Sequence, residues 1–167
     1  TLMVGVFSFL FPSNARAQQC PINALGYAYE RTLTVDGAKV SGTHTDFPVL
    51  VKLDPDSFLN RSSPEGYDIA FADANYNKLD FEVERFFDGV GGKYLAWVRI
   101  PTLSTTTTIK VLYGNPNITA DSSSTGTWND DYVSVWHLNN SFEDASQSNN
   151  NGTNNGTTIA AGQIGQG

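Results

Sequence analysis

Residues 94–113 read YLAWVRIPTLSTTTTIKVLY, and the repeat that organises them is two residues long. Tyr94, Ala96, Val98 and Ile100 share one face of a strand. Ile109, Val111 and Tyr113 share one face of the next, which is expected over Thr105 to Tyr113. Alternation of this kind belongs to strands, because successive side chains of an extended backbone point to opposite sides, whereas a helix repeats at about 3.6.

The same period extends in both directions. Leu79, Phe81 and Val83 alternate ahead of a glycine-rich break at Gly89 to Gly92. Tyr67, Ile69 and Phe71 form a short strand that ends in the turn Asp73-Ala74-Asn75-Tyr76-Asn77. Phe47, Val49, Val51 and Leu53 alternate in a run with Pro48 near its start, where an edge strand tolerates it. Tyr27, Tyr29, Arg31, Leu33 and Val35 lead into the turn signal Asp36-Gly37, and Tyr132 to Leu138 is a further candidate strand. No segment carries amphipathic helical periodicity. The fold class is therefore all-β: an antiparallel β-sandwich or jelly-roll-like domain, followed by the truncated start of a second β-domain.

The two ends differ from this middle. Leu2 to Phe11 (LMVGVFSFLF) is almost uniformly apolar, and Ala15-Arg16-Ala17 supplies the small-x-small site that a signal peptidase reads. A run of about ten residues is too short to cross a bilayer as a helix of ~20. Residues 1–17 thus read as a signal peptide, with a mature protein that is secreted or exposed on the cell envelope, whether in the periplasm, on the outer surface or outside the cell. Residues 18–28 form a lead-in, 29–120 the sandwich and 121–131 a linker. From Ala145 to Gly167 there is no charged residue, and Asn and Gly dominate, so poor order is expected there.

Among 167 residues, 40% are hydrophobic, enough for a core, and only 16% are charged. Ten Lys and Arg against 17 Asp and Glu give a net charge of −7, which repels nucleic-acid phosphates. Cys20 is the single cysteine, so no disulfide closes within the chain, and it is either a free thiol or paired beyond it.

Residues Tyr29 to Asn115 resemble a bacterial and archaeal family, domain of unknown function 2341. The matching elements are Arg31-x-Leu33-x-Val35, Asp46-Phe47-Pro48-Val49-Leu50-Val51, Asp68-Ile69-x-Phe71-x-Asp73, Phe81-Glu82-Val83-Glu84, Trp97-Val98-x-Ile100-Pro101 and Leu112-Tyr113-Gly114-Asn115. Leu112 stands where the family often has Tyr. The resemblance implies a domain of a large surface protein and no established activity. Val135-Trp136-His137-Leu138 through Asp144 resembles the start of a laminin-G-like or concanavalin-like jelly roll, so residues 132–167 read as its incomplete opening.

Chemistry-bearing residues are sparse. Glu82 and Glu84 lie two apart on one strand, with Cα atoms ~6.6–6.8 Å apart, within the range glycosidases use for their carboxyls. The simpler reading is a solvent-facing pair opposed by Arg99 or Lys110. His44 and His137 have no nucleophile signature or metal spacing around them, and His137 reads as a structural or edge residue beside Trp136. Asp73-x-Asn75-x-Asn77 spaces oxygens like the first half of a calcium loop, but Lys78 stands where such a loop needs Gly, and the same residues make turns without metal. Asp130-Asp131 and Glu143-Asp144 are a second acidic group to be weighed for calcium. No cofactor is expected otherwise.

The aromatic residues argue best for binding. Tyr94 and Trp97 lie on opposite faces of one strand, so at most one of them faces the core, and one of the adjacent Phe86 and Phe87 points outward or into a loop. An exposed ring of this kind is a platform for a sugar. Trp97, Tyr94 and Phe86 are the ligand-binding candidates, weighed against burial in a second core or under a covering loop. The expected function is a non-catalytic extracellular binding or adhesion module, its partner a glycan or another surface protein. The alternatives are a structural spacer, or an accessory domain of a hydrolase whose catalytic part lies outside the chain. Membrane association is expected only through parts outside the chain. Asn60, Asn117, Asn139, Asn151 and Asn155 match the N-glycosylation pattern, which an Asn- and Thr-rich chain produces easily by chance.

Overall fold

The alternating runs assemble into two antiparallel sheets in a computed structural model that describes residues 18–19, 26–53, 62, 64–87, 93–139, 141–162 and 164. The leader, Cys20, Asn60 and the break at Gly89 to Gly92 lie outside the described residues. The strands are β1 (Gln18–Gln19), β2 (Tyr29–Thr34), β3 (His44–Leu53), β4 (Ala70–Ala72), β5 (Phe81–Phe87), β6 (Lys93–Leu103) and β7 (Thr108–Tyr113). One sheet has the order β1-β2-β7-β4 and the other β3-β6-β5. Consecutive strands mostly change sheets, as a jelly-roll-like sandwich requires, and the all-β class follows directly.

Each sheet is built on a central strand with an apolar face. Val49, Val51 and Leu53 of β3, Phe81 of β5, and Tyr94, Ala96, Val98 and Ile100 of β6 meet Leu33 of β2, Phe71 of β4, and Ile109, Val111 and Tyr113 of β7 in one core. Register fixes these faces: Val49 lies opposite Val98, and Leu33 opposite Ile109. Ser104 and Thr107 close the turn that carries the chain from β6 in one sheet to β7 in the other, with the Ser104 N–H donating to Thr107 Oγ1 at 2.7 Å.

The Leu-Tyr-Gly-Asn motif has a structural reason. Gly114 has φ of 78°, and a Cβ there would sit 2.7 Å from Cδ2 of Tyr29. Its N–H donates to Asp68 Oδ2 at 2.8 Å, while Asn115 Oδ1 accepts from the Asn117 N–H at 3.1 Å. Tyr113 stacks on Tyr29, with ring centroids 5.4 Å apart. The motif therefore ties the end of β7 to the start of β2 and to the turn before β4.

Two expectations change. Tyr132 to Leu138 joins no sheet, because its backbone is held by side chains rather than by a neighbouring strand. The tail beyond Ala145 is organised, up to Asn151, around Asp144, as described below.

Candidate functional site

The face of β5 and β6 that points away from the core carries Glu82, Glu84 and Trp97, around which Trp128 and His137 gather. Glu82 lies opposite Trp97 in the register, Val83 opposite Ala96, and Arg85 opposite Leu95. Glu84 is thus the extra residue of a β-bulge. The bulge changes the phase of the strand, keeping Glu84 on the outer face and turning Phe86 inward against Tyr94, at 6.0 Å between centroids.

A strap from Asp121 onward covers this face. Ser124 N donates to the Phe81 carbonyl at 2.8 Å, and Val83 N donates to Ser123 Oγ at 2.9 Å, so the strap runs along the edge of β5. A short 3-10 turn, Thr125–Thr127, follows with Ser124 as its N-cap. It delivers Trp128 onto Trp97, with centroids 5.5 Å apart, and Tyr132 packs its edge against Trp128 at 5.2 Å.

His137 then enters between the two glutamates. Its Nδ1 lies 2.6 Å from Glu84 Oε2 and its Nε2 3.1 Å from Glu82 Oε2. Each carboxylate also accepts an indole N–H: Glu84 from Trp97 at 3.1 Å, and Glu82 from Trp128. Burial alone lowers the His137 pKa, but the two carboxylates outweigh it and raise it to about 10. Burial likewise raises that of Glu84, and the bonds from His137 and Trp97 bring it below the ordinary value. The ring is therefore an imidazolium at neutral pH, donating from both nitrogens.

That state has a chemical consequence. An imidazolium with both N–H groups engaged has no lone pair with which to act as a base. The cleft beside it, about 330 Å³, is lined by Glu82, Ser123, Ser124, Ser141 and Glu143 among others. The hydroxyl oxygens of Ser123, Ser124 and Ser141 accept from the N–H groups of Val83, Gly126 and Glu143. The geometry joins a strap to a sheet.

Asp144 organises the rest of the strap. Its Oδ1 accepts from the N–H groups of Val135 and Ser146 at 2.8 and 2.9 Å, and its Oδ2 from that of Asn150 at 2.8 Å. Desolvation raises its pKa, but these backbone donors prevail and hold it at about 2. The Asp144 N–H donates in turn to Asn151 Oδ1 at 2.9 Å. Among the described residues, no group of three or more His, Cys, Asp or Glu side chains is placed to hold a metal ion.

The other candidates fall apart spatially. Tyr94 is wholly buried in the core, so it offers no surface to a ligand. Trp97 is half-buried on the opposite face, covered by Trp128. Phe86 packs against the core because of the bulge. Asp73 closes a turn: its carboxylate accepts from the N–H groups of Asn75 and Asn77 and from Asn77 Nδ2, at 2.8 to 2.9 Å. Arg99 pairs with Asp80 at 2.6 Å and Lys110 with Glu30 at 3.1 Å, so neither opposes Glu82 or Glu84. The cation that does is His137, which lies far along the chain in a segment whose local pattern resembles a strand. The two glutamates on one strand were its only sequence signal.

Residues 65–157, more than half of the chain, match the family described as Domain of unknown function (DUF2341). The matched range starts later than the resemblance in the sequence and runs on through Trp128, His137 and Asp144, taking in the strap as well as strands β4 to β7. The laminin-G-like resemblance gains no support from it. No curated protein and no solved structure matches the chain. On the length of that match, carried by a two-sheet sandwich and its strap, the chain belongs to the family of domain of unknown function 2341.

Proposed function

We propose that the chain is a non-catalytic module of a larger surface protein, secreted or exposed on the cell envelope, that acts by binding a glycan or another surface protein. The observation that carries the reading is the mutual hydrogen bonding of Glu82, Glu84, His137, Trp97 and Trp128. The groups best suited to acid–base work are bonded to one another, which favours a structural lock over a reaction centre. The acidic surface supports a partner other than nucleic acid. Among the described residues, no helix is long and apolar enough to cross a membrane. The test assays the folded protein for hydrolase turnover on glycan and peptide substrates and for retention on immobilised glycans. Retention without turnover is expected, and turnover abolished by Glu82→Gln would overturn the reading. Export is tested separately, by sequencing the N-terminus of the exported protein, which is expected to begin at Gln18.

A second reading, a spacer carrying the opening of a laminin-G-like jelly roll, has its own support. Val133, Trp136 and Leu138 are 77%, 47% and 45% exposed, a row of apolar side chains that further strands would cover. Under that reading a longer chain protects these three residues from solvent while the sandwich is unchanged.

A further inference from the structure

One tetrapeptide occurs twice in succession after the strap. Asn150-Asn151-Gly152-Thr153 is followed at once by Asn154-Asn155-Gly156-Thr157. Every residue of both copies is exposed, so sequence and solvent treat them alike. The fold does not. We propose that Asn155 is a site of spontaneous deamidation through a succinimide formed with Gly156, and that the strap's hydrogen bonds shield the identical Asn151-Gly152 pair from the same reaction. The chemistry needs only water, so it stands apart from the binding reading above.

An Asn-Gly pair opens this route because glycine puts no side chain in the way of its own nitrogen and lets the backbone turn towards the amide. The Gly156 nitrogen attacks Cγ of Asn155 and bonds to it, and the Cγ–Nδ2 bond breaks. Nδ2 leaves as ammonia, taking the proton that the Gly156 nitrogen gives up. Water then opens the cyclic imide. Cleavage between the nitrogen and Cγ leaves aspartate. Cleavage between the nitrogen and the Asn155 backbone carbonyl carbon leaves isoaspartate, with the main chain rerouted through the former side chain. Ammonia is lost and water gained, and nothing is oxidised or reduced.

The reaction requires a free side-chain amide and a free backbone nitrogen. In the first copy both are tied to the strap. The Gly152 N–H donates to the Phe142 carbonyl at 2.7 Å, and Asn151 Oδ1 accepts from the Asp144 N–H at 2.9 Å. Asn150 is held as well, its N–H donating to Asp144 Oδ2 at 2.8 Å, its Nδ2 to the Val133 carbonyl at 2.7 Å, and its carbonyl accepting from Trp136 Nε1 at 2.9 Å. Attack at Asn151 must therefore wait for the whole loop to open.

The second copy is bonded only to itself. Asn154 Oδ1 accepts from the Gly156 and Thr157 N–H groups at 2.8 and 2.9 Å, and Asn154 Nδ2 donates to the Thr157 carbonyl at 3.2 Å. Asn155 Nδ2 reaches the Thr153 carbonyl at 3.5 Å, the far limit of a hydrogen bond. The Gly156 nitrogen is thus held by a solvated side chain that swings away without moving another segment. Gly156 has φ of 109°, and a Cβ there would meet nothing within 4 Å, so the path to its nitrogen is open. The product adds a carboxylate to a stretch, Ala145 to Gly167, that carries no charge.

The test incubates the full chain at mildly alkaline pH, folded in buffer and unfolded in guanidinium chloride. A glutamyl endopeptidase then releases the peptide after Glu143, which holds both pairs, and mass spectrometry locates each exchange of ammonia for water. In buffer Asn155 is expected to convert at least about tenfold faster than Asn151. In guanidinium the two rates converge, because the tetrapeptides are the same. Asp144→Asn loosens the first copy and is expected to raise the Asn151 rate while leaving that of Asn155 at its wild-type value. Equal rates in buffer would overturn the shielding, and a difference that persists in guanidinium would overturn its structural cause. An Asn155 that stays intact in the folded protein while the unfolded chain converts would overturn the site.

Discussion

His137 Nδ1 lies 2.6 Å from Glu84 Oε2, and this contact joins the strap to the bulge of β5 between residues 53 positions apart in the chain. Removing the imidazolium leaves the Glu84 carboxylate, whose side chain is only 5% exposed, without its cation. Breaking a buried pair costs about 3–5 kcal/mol, and partial exposure reduces that. His137→Ala is expected to lower unfolding free energy by about 2 kcal/mol, measured by urea denaturation. A change near zero would remove the lock.

The same contact gives a pH dependence of defined sign. The folded pKa of His137, about 10, stands above its unfolded value of 6.5. Its stabilisation is therefore complete below pH 6.5 and is lost as pH rises through 10. The stability difference between wild type and His137→Gln is expected to shrink steadily over that window. A difference that grows with pH would contradict the assignment.

Tyr94 is buried in the core, and its hydroxyl has no hydrogen-bond partner among the described residues. Burial, reinforced by the charges of Asp121 and Asp68, pushes its pKa far up, so it stays neutral. Tyr94→Phe removes an unsatisfied polar group while keeping the ring against Phe71 and Phe86. Thermal denaturation is expected to show equal or higher stability. A loss of more than about 1 kcal/mol would mean that the hydroxyl has a partner, an ordered water being the natural one.

Gly114→Ala meets two penalties at once, a φ of 78° and a Cβ only 2.7 Å from the Tyr29 ring. The expected loss is about 1–3 kcal/mol, measured by urea denaturation. A variant as stable as the wild type would show that the Tyr29 ring gives way without cost.

Asp144 has a folded pKa of about 2, depressed from 3.8. Its contribution is present above 3.8 and disappears as pH falls through 2. Asp144→Asn sets an amide donor against at least one backbone donor. The amides of Val135, Ser146 or Asn150 are then expected to exchange faster, while those of β6 keep wild-type protection. Uniform exchange across both regions would show that the loop is not organised by Asp144.

What the sequence determined by itself was the class of fold and the side of each strand that faces inward. Alternation is local, so the shared face of Tyr94, Ala96, Val98 and Ile100, with Trp97 on the opposite one, was legible without any knowledge of the sheets. The turn at Asp73 was equally legible, since an Asx turn is made by neighbours. Tertiary structure alone decided the rest. The bulge at Glu84 shifted the strand's phase and sent Phe86 inward, an event that depends on the register with β6. The outer face became a second, partly buried layer because Trp128 and His137, far along the chain, return to cover Trp97 and to pair with two glutamates. Burial of a residue's second face is set by whatever packs upon it, and no repeat within the strand records that partner.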